Sequence, residues 1–263
     1  MCYSIAFLEH RQQKYAERYK ELLPPDWSER TSPMDMPTYY FVSGFSHPLL
    51  PIIKHDGMFL FEWGLIPFWI NDSHAAKDIQ NKTLNAVGET VFQKPSFRKC
   101  IASQRCLLGV TGFYEWHEVH KAKYPYFIHT KSNDIFSLGC VYDTWVDKTT
   151  GEIRNTFSII TTAANPLMER IHNTKKRMPL ILSPQDEQQW LNPTLTPTEI
   201  VSLIQPYNAE DMTAYTVSKA ANNVRNNRNV PEIMERVEYR ELVDPDTPDT
   251  ACTGQVRVRD RLS

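Results

Sequence analysis

Apolar residues in this chain fall mostly into short runs of period two, broken by turn-forming residues, with a few stretches of helical period between them. The first run, Tyr3 to Phe7, begins directly behind the N-terminus and predicts a strand that would hold a part of the chain that ordinarily frays. From His10 to Leu23 the positions Tyr15, Tyr19, Leu22 and Leu23 recur at helical spacing, so a helix packing one face is expected, stopped by Pro24-Pro25. Further strands are predicted at Tyr39 to Val42, Met58 to Trp63, Arg105 to Val110, Phe113 to Val119, Tyr124 to His129, Ile135 to Val141 and Thr156 to Thr161. Shorter helices are predicted at Ser96 to Ala102, Pro166 to Ile171, Pro184 to Leu191 and Pro197 to Ile204.

Strands in succession, with helices interspersed rather than strictly alternating, predict an α+β class: a single domain with a mostly antiparallel, strongly curved, barrel-like sheet and flanking helices. The domain is expected to span residues 1 to 243. From Asp244 the segment Asp-Pro-Asp-Thr-Pro-Asp is acidic and Pro-rich, and 244 to 263 reads as a loosely ordered tail.

Composition narrows the classes of function. Of 263 residues, 41% are hydrophobic and 23% charged, which is ordinary for a globular protein and argues against a disordered or fibrous one. No apolar run approaches the roughly 20 residues of a membrane span, and the N-terminus lacks a secretory pattern, so no membrane association and a cytoplasmic location are expected. Five scattered cysteines without a Cys-x-x-Cys pair suggest reduced thiols, with no metal and no cofactor. The formal net charge of −2 gives no global sign of nucleic-acid binding, so any such site must come from local clusters. Candidates are Lys94, Arg98, Lys99 and Arg105, then Lys121 with Lys123, then Lys175, Lys176 and Arg177, then Arg225 with Arg228; each alone also suits a solvated surface.

Five features carry possible chemistry. In Met1-Cys2 the residue after the initiator is small, so trimming of Met1 is expected to leave a free α-amine and a thiol on one residue. That 1,2-aminothiol can condense with an aldehyde through its amine and close a thiazolidine through its thiol. The segment Glu62 to Trp69 gathers Trp63, Pro67, Phe68 and Trp69 on a strand end, where the aromatic rings either stack on bases or cap the core. In Thr83 to Thr90, Asn85 is placed to hold a sugar or phosphate, or to cap a helix. In Gly112-Phe113-Tyr114-Glu115-Trp116 a carboxylate lies among aromatics, where its pKa should rise and suit it to move protons unless an arginine pairs with it. His172 follows a short helix and precedes the basic loop Lys175-Lys176-Arg177; a histidine there suits acid–base work or a structural role.

In order and wording these segments, together with Thr156 to Asn165 and the His-to-Arg-Met-Pro stretch, resemble the SOS-response-associated peptidase family, the abasic-site-processing proteins. The resemblance runs from Cys2 to about Thr216. It implies a protein, expected to be monomeric, that senses abasic sites in single-stranded DNA by a covalent crosslink, with a possible lyase side activity. By resemblance Cys2 is the nucleophile, Asn85 orients the terminus or the opened deoxyribose, Glu115 handles protons during imine formation and His172 assists sugar opening. The aromatic segment, Lys94, Arg98 and Lys175 to Arg177 are then expected at the DNA. Two departures weaken the expected phosphate contacts: Tyr3-Ser4 stands where the family has Gly-Arg, and Val87 where it has Arg. Two alternatives remain: a thiol peptidase using Cys2 with His172 and Glu115, and a non-catalytic single-strand binder.

Overall fold

The structure is a computed structural model, described here for residues 2–27 and 34–242. The expected tail from Asp244 lies outside the described residues.

Two sheets dominate the α+β fold. The first is antiparallel, with the order β13 (Met212–Thr216), β8 (Ala122–Thr130), β7 (Gly112–Val119), β1 (Ser4–Phe7), β2 (Tyr39–Ser43). The second contains β3 (Leu49–Lys54), β4 (Gly57–Trp63), β6 (Arg105–Val110), β9 (Phe136–Val146) and β10 (Ile153–Ala163). Because β10 pairs with β9 as well as with β4, the path β10, β4, β3, β6, β9 returns on itself and closes a five-stranded barrel. Short strands β5 (Asn85–Val87), β11 (Arg177–Pro179) and β12 (Ile181–Leu182) extend this sheet, β5 running parallel to β10. Closure removes the edges of the ladder, so the alternating apolar faces of both sheets share one interior. Ile5, Leu50, Ile52, Leu108, Phe113, Ile128 and Phe157 fill it.

Pattern and structure part at several places. The helix expected over His10 to Leu23 is α-helical only over α1 (Gln12–Arg18), after which Tyr19 leaves helical geometry and the chain turns. Packing outweighs local propensity there: Tyr15 and Tyr19 are buried, and Arg18 forks onto the buried Glu187 at 2.6 and 3.1 Å. The predicted Ser96 to Ala102 helix shrinks to α3 (Cys100–Ser103), preceded by turns closing on the Lys94 carbonyl. Strand β3 carries Pro51 in a run the pattern passed over; the β6 ladder begins only at Ile52, so the missing N–H interrupts none of its pairs. A further helix, α2 (Ser73–Gln80), starts on the Asp72 carboxylate, which accepts from the Ala75 N–H at 2.9 Å. Pro-initiated α4 (Pro166–Ile171), α5 (Pro184–Leu191) and α6 (Pro197–Leu203) lie where expected. Among the described residues no helix is long and apolar enough to cross a membrane.

Candidate functional site

Cys2 lies immediately ahead of β1, a strand hydrogen-bonded on both sides, to β2 and β7. The Tyr3 carbonyl accepts from the Gly44 N–H at 2.9 Å, so regular pairing reaches almost to the first residue. Cys2 itself is buried in the cluster between the sheets. Burial pushes its thiol far up, and the nearby Glu115 carboxyl adds to the rise. The resting sulfur is therefore a thiol, not a thiolate.

Three elements converge on this residue. From β5, Asn85 donates its side-chain N–H to the Cys2 carbonyl at 2.8 Å; its own buried oxygen accepts no hydrogen bond among the described residues. Its place follows from parallel pairing with Ile159 of β10, not from a helix cap. From β7, Glu115 is buried opposite Tyr126 of β8. Desolvation raises its carboxyl to about 7, opposed in part by the positive charge of Lys175. From the end of α4 comes His172, whose backbone N–H closes on Met168 at 2.7 Å and whose Nδ1 lies 2.9 Å from the Arg177 carbonyl. A carbonyl oxygen can only accept a hydrogen bond, so Nδ1 carries the hydrogen and Nε2 keeps its lone pair. Burial pushes the imidazole down to about 4, and Lys175 adds to the lowering. The two side chains approach to 3.7 Å. The order of acidity is thus reversed from that in water: between about pH 4 and 7 the carboxyl holds its proton while the imidazole is neutral.

Two clefts flank this group, and Tyr3 lines both. The smaller, about 450 Å³, is bordered by Asn85, Val87, Lys82 and Lys94. The larger, about 860 Å³, is bordered by Phe45, Trp116, Lys121, Lys123 and Arg228. Phe45 lies outside every motif named above and Arg228 belongs to the basic pair Arg225 with Arg228, and only the folded chain brings the two to Tyr3.

Several residues expected at DNA are committed elsewhere. Trp63 is 0% exposed; its indole N–H bonds the Leu84 carbonyl at 2.9 Å and its ring stacks on Phe157, which makes it a core residue. Pro67 is also buried. Phe68 and Trp69 remain 47% and 44% exposed, with Lys99 over the Phe68 ring at 3.8 Å. The loop that carries them is pinned by Ile66 N–H to Thr156 at 2.8 Å and Phe68 N–H to Asp143 at 2.9 Å. Arg177 forks onto Glu89 at 2.6 and 2.8 Å and reaches the Thr161 carbonyl, so its charge is already compensated. Arg105 is buried and bonds the carbonyls of Trp190, Ile101, Ala102 and Asn192. Of the remaining cations, Lys94 borders the smaller cleft, Lys175 acts on Glu115 and His172, and Arg98 and Lys176 are exposed. Among the described residues no group of three or more His, Cys, Asp or Glu side chains is placed to hold a metal ion.

The chain is 44% identical over 175 residues to the abasic site processing protein YoqW of Bacillus subtilis, covering 66% of this chain and 74% of that protein. It is 28% identical over 242 residues to the abasic site processing protein HMCES of Xenopus tropicalis, covering 81% and 70%. A crystal structure of a Bacteroides thetaiotaomicron protein superposes with a TM-score of 0.80 at 41% identity, covering 90% of this chain and 100% of that one. The model of the SOS response associated peptidase (SRAP) family matches residues 1–224, nearly the whole described chain including all four converging residues, and the chain belongs to that family.

Proposed function

We propose that this protein captures abasic sites in single-stranded DNA through Cys2, after Met1 is removed and the Cys2 nitrogen becomes a free amine. The observation that carries the reading is the convergence of Asn85 on the Cys2 carbonyl with a buried Glu115–His172 pair of inverted acidity, between two clefts lined by cations.

The chemistry is redox-neutral. An abasic sugar is a cyclic hemiacetal; His172 Nε2 takes the anomeric hydroxyl proton and the Glu115 carboxyl protonates the ring oxygen, opening it to the aldehyde. His172 then returns its proton to Glu115, the Cys2 amine adds to the carbonyl carbon with one N–H proton passing to the oxygen, and Glu115 protonates the resulting hydroxyl while His172 takes the second N–H proton, so that water departs and a Schiff base remains. After His172 has again returned its proton to Glu115, the thiol adds across the C=N bond: a C–S bond forms, the sulfur proton passes to His172 and Glu115 protonates the ring nitrogen, giving a thiazolidine. Asn85, by holding the Cys2 carbonyl, keeps both nucleophiles of the residue beside one carbon, where effective molarities can reach about 10⁵ M or more. If ring closure is slow, β-elimination from the Schiff base nicks the strand, and a lyase side reaction is then expected.

A thiol peptidase would need a thiolate paired with an imidazolium. Here burial keeps the Cys2 sulfur protonated and His172 neutral, which favours the amine as first nucleophile. The reading is tested by incubating the purified protein with single-stranded DNA carrying one abasic site and resolving the products on a denaturing gel. A boiling-stable adduct, formed only by protein whose intact mass lacks Met1, is expected. Protein of that mass that gives no adduct refutes the proposal.

A further inference from the structure

Among the described residues Tyr3 is the one that borders both clefts, and it directly follows the proposed nucleophile. Its backbone is fixed by the Gly44 N–H at 2.9 Å. Successive side chains of an extended segment point to opposite sides, and here Cys2 enters the core while the half-buried Tyr3 ring turns to the clefts. The ring leans on Phe45, centroids 5.3 Å apart and tilted 33°, and Phe45 is 56% exposed, so the pair forms an open apolar wall. The larger cleft is also bordered by Lys121, Lys123 and Arg228, and by Trp116, which follows Glu115 in sequence. Aromatic faces and cations bordering one cleft make the kind of surface that single-stranded nucleic acid uses, bases stacking on the rings while phosphates meet the charges.

We propose that Tyr3, backed by Phe45, is a stacking platform for the nucleobase adjacent to the captured abasic sugar, and that capture therefore depends on the identity of that neighbour. The inference rests on Cys2 being the point of attachment. Adjacent Cα atoms are about 3.8 Å apart, so a sugar tethered to Cys2 leaves its neighbouring base within reach of the next side chain. Purines, with the larger face, are bound more tightly than pyrimidines. Asn85 and Lys94, on the other side of Tyr3, hold the backbone without reading the base.

The test uses full-length protein and separates stacking from chemistry. A single strand carries a tetrahydrofuran abasic analogue, which has no aldehyde, flanked on one side or the other by 2-aminopurine. Stacking on Tyr3 should quench the fluorescence in one of the two strands. Tyr3→Ala should relieve the quenching and weaken binding roughly 5- to 150-fold, as loss of one base–aromatic stack does, while Tyr3→Phe should keep both. With an authentic abasic site, Tyr3→Ala should raise the DNA concentration for half-maximal capture by a similar factor, more for a purine neighbour than for a pyrimidine. The maximal rate at saturating DNA should stay within about threefold. Equal quenching and affinity in parent and Tyr3→Ala, with Tyr3→Ala folded by circular dichroism, overturn the inference even if the parent crosslinks normally. A Tyr3→Ala variant that fails to fold leaves Tyr3→Phe and Phe45→Ala to decide: unchanged affinity in Phe45→Ala, with no quenching by the parent in either strand, also overturns it. Should the parent bind the analogue and quench yet form no adduct, the capture reading fails and the stacking role of Tyr3 stands.

Discussion

Glu115→Gln should change the pH dependence of stability in a direction opposite to His172→Gln, and the size of both effects follows from burial. Glu115 ordinarily titrates at 4.5 and is raised to about 7 in the fold. Between those values the folded protein holds a proton that the unfolded chain has released, so this group's contribution is fully present below pH 4.5 and is lost as pH rises to 7. His172 is lowered from 6.5 to about 4, so the unfolded chain holds the extra proton; its contribution is present above pH 6.5 and is lost as pH falls to 4. Each shift spans about 2.5 pH units, or about 3 kcal/mol at roughly 1.4 kcal/mol per unit. From pH 4.5 to 6.5 the two slopes cancel, because folded and unfolded chains then carry one proton on the pair, on the carboxyl in one and the imidazole in the other. Relative to the parent, Glu115→Gln should therefore gain about 3 kcal/mol of stability between pH 4.5 and 7. His172→Gln should lose a similar amount, relative to the parent, between pH 4 and 6.5. Urea unfolding at half-unit pH intervals, read by fluorescence for parent and both variants, measures these differences directly. Difference curves that are flat, or that slope the same way, would refute the inverted order of acidity and with it the assignment of acid to Glu115 and base to His172.

Cys2→Ser keeps the terminal amine and loses the thiol, so borohydride should still trap a Schiff base while the unreduced, heat-stable adduct falls to a few per cent; an unchanged adduct on the denaturing gel would exclude the thiol as ring-closing nucleophile. With about three or four phosphates met by the cleft cations, a plot of log affinity against log salt for single-stranded DNA should have a slope of about −2 to −3, and anisotropy titrations giving a slope near zero would show that the clefts do not hold the backbone. Gly64→Ala should cost more than about 2 kcal/mol and lower the thermal midpoint by several degrees. At φ +112° a Cβ there would lie 2.7 to 2.9 Å from Gln80 and His47, so calorimetry showing parent-like melting would mean the loop gives way more easily than its hydrogen bonds imply.

Periodicity alone was enough to find most of the long strands and the Pro-initiated helices, because a half-buried strand and a capped helix each leave a local signature in the order of apolar and polar residues. It missed the strands whose existence depends on partners. Three residues at β5 and two at β12 have no pattern of their own and are strands only because β10 and β9 offer a ladder. Cys2, Asn85, Glu115 and His172 were legible as candidates because each residue type carries its chemistry wherever it lies. Their meeting was not, since they come from four elements spread over 171 positions of chain. The same distinction governs the aromatic and basic residues. Composition cannot tell Trp63, stacked on Phe157 in the core, from Trp116 at the rim of a cleft, nor Arg177, already forked onto Glu89, from Lys94 beside Asn85. Which face a side chain turns to, and which charge it meets there, is decided by long-range pairing of strands, and that pairing also produces the burial that inverts Glu115 and His172.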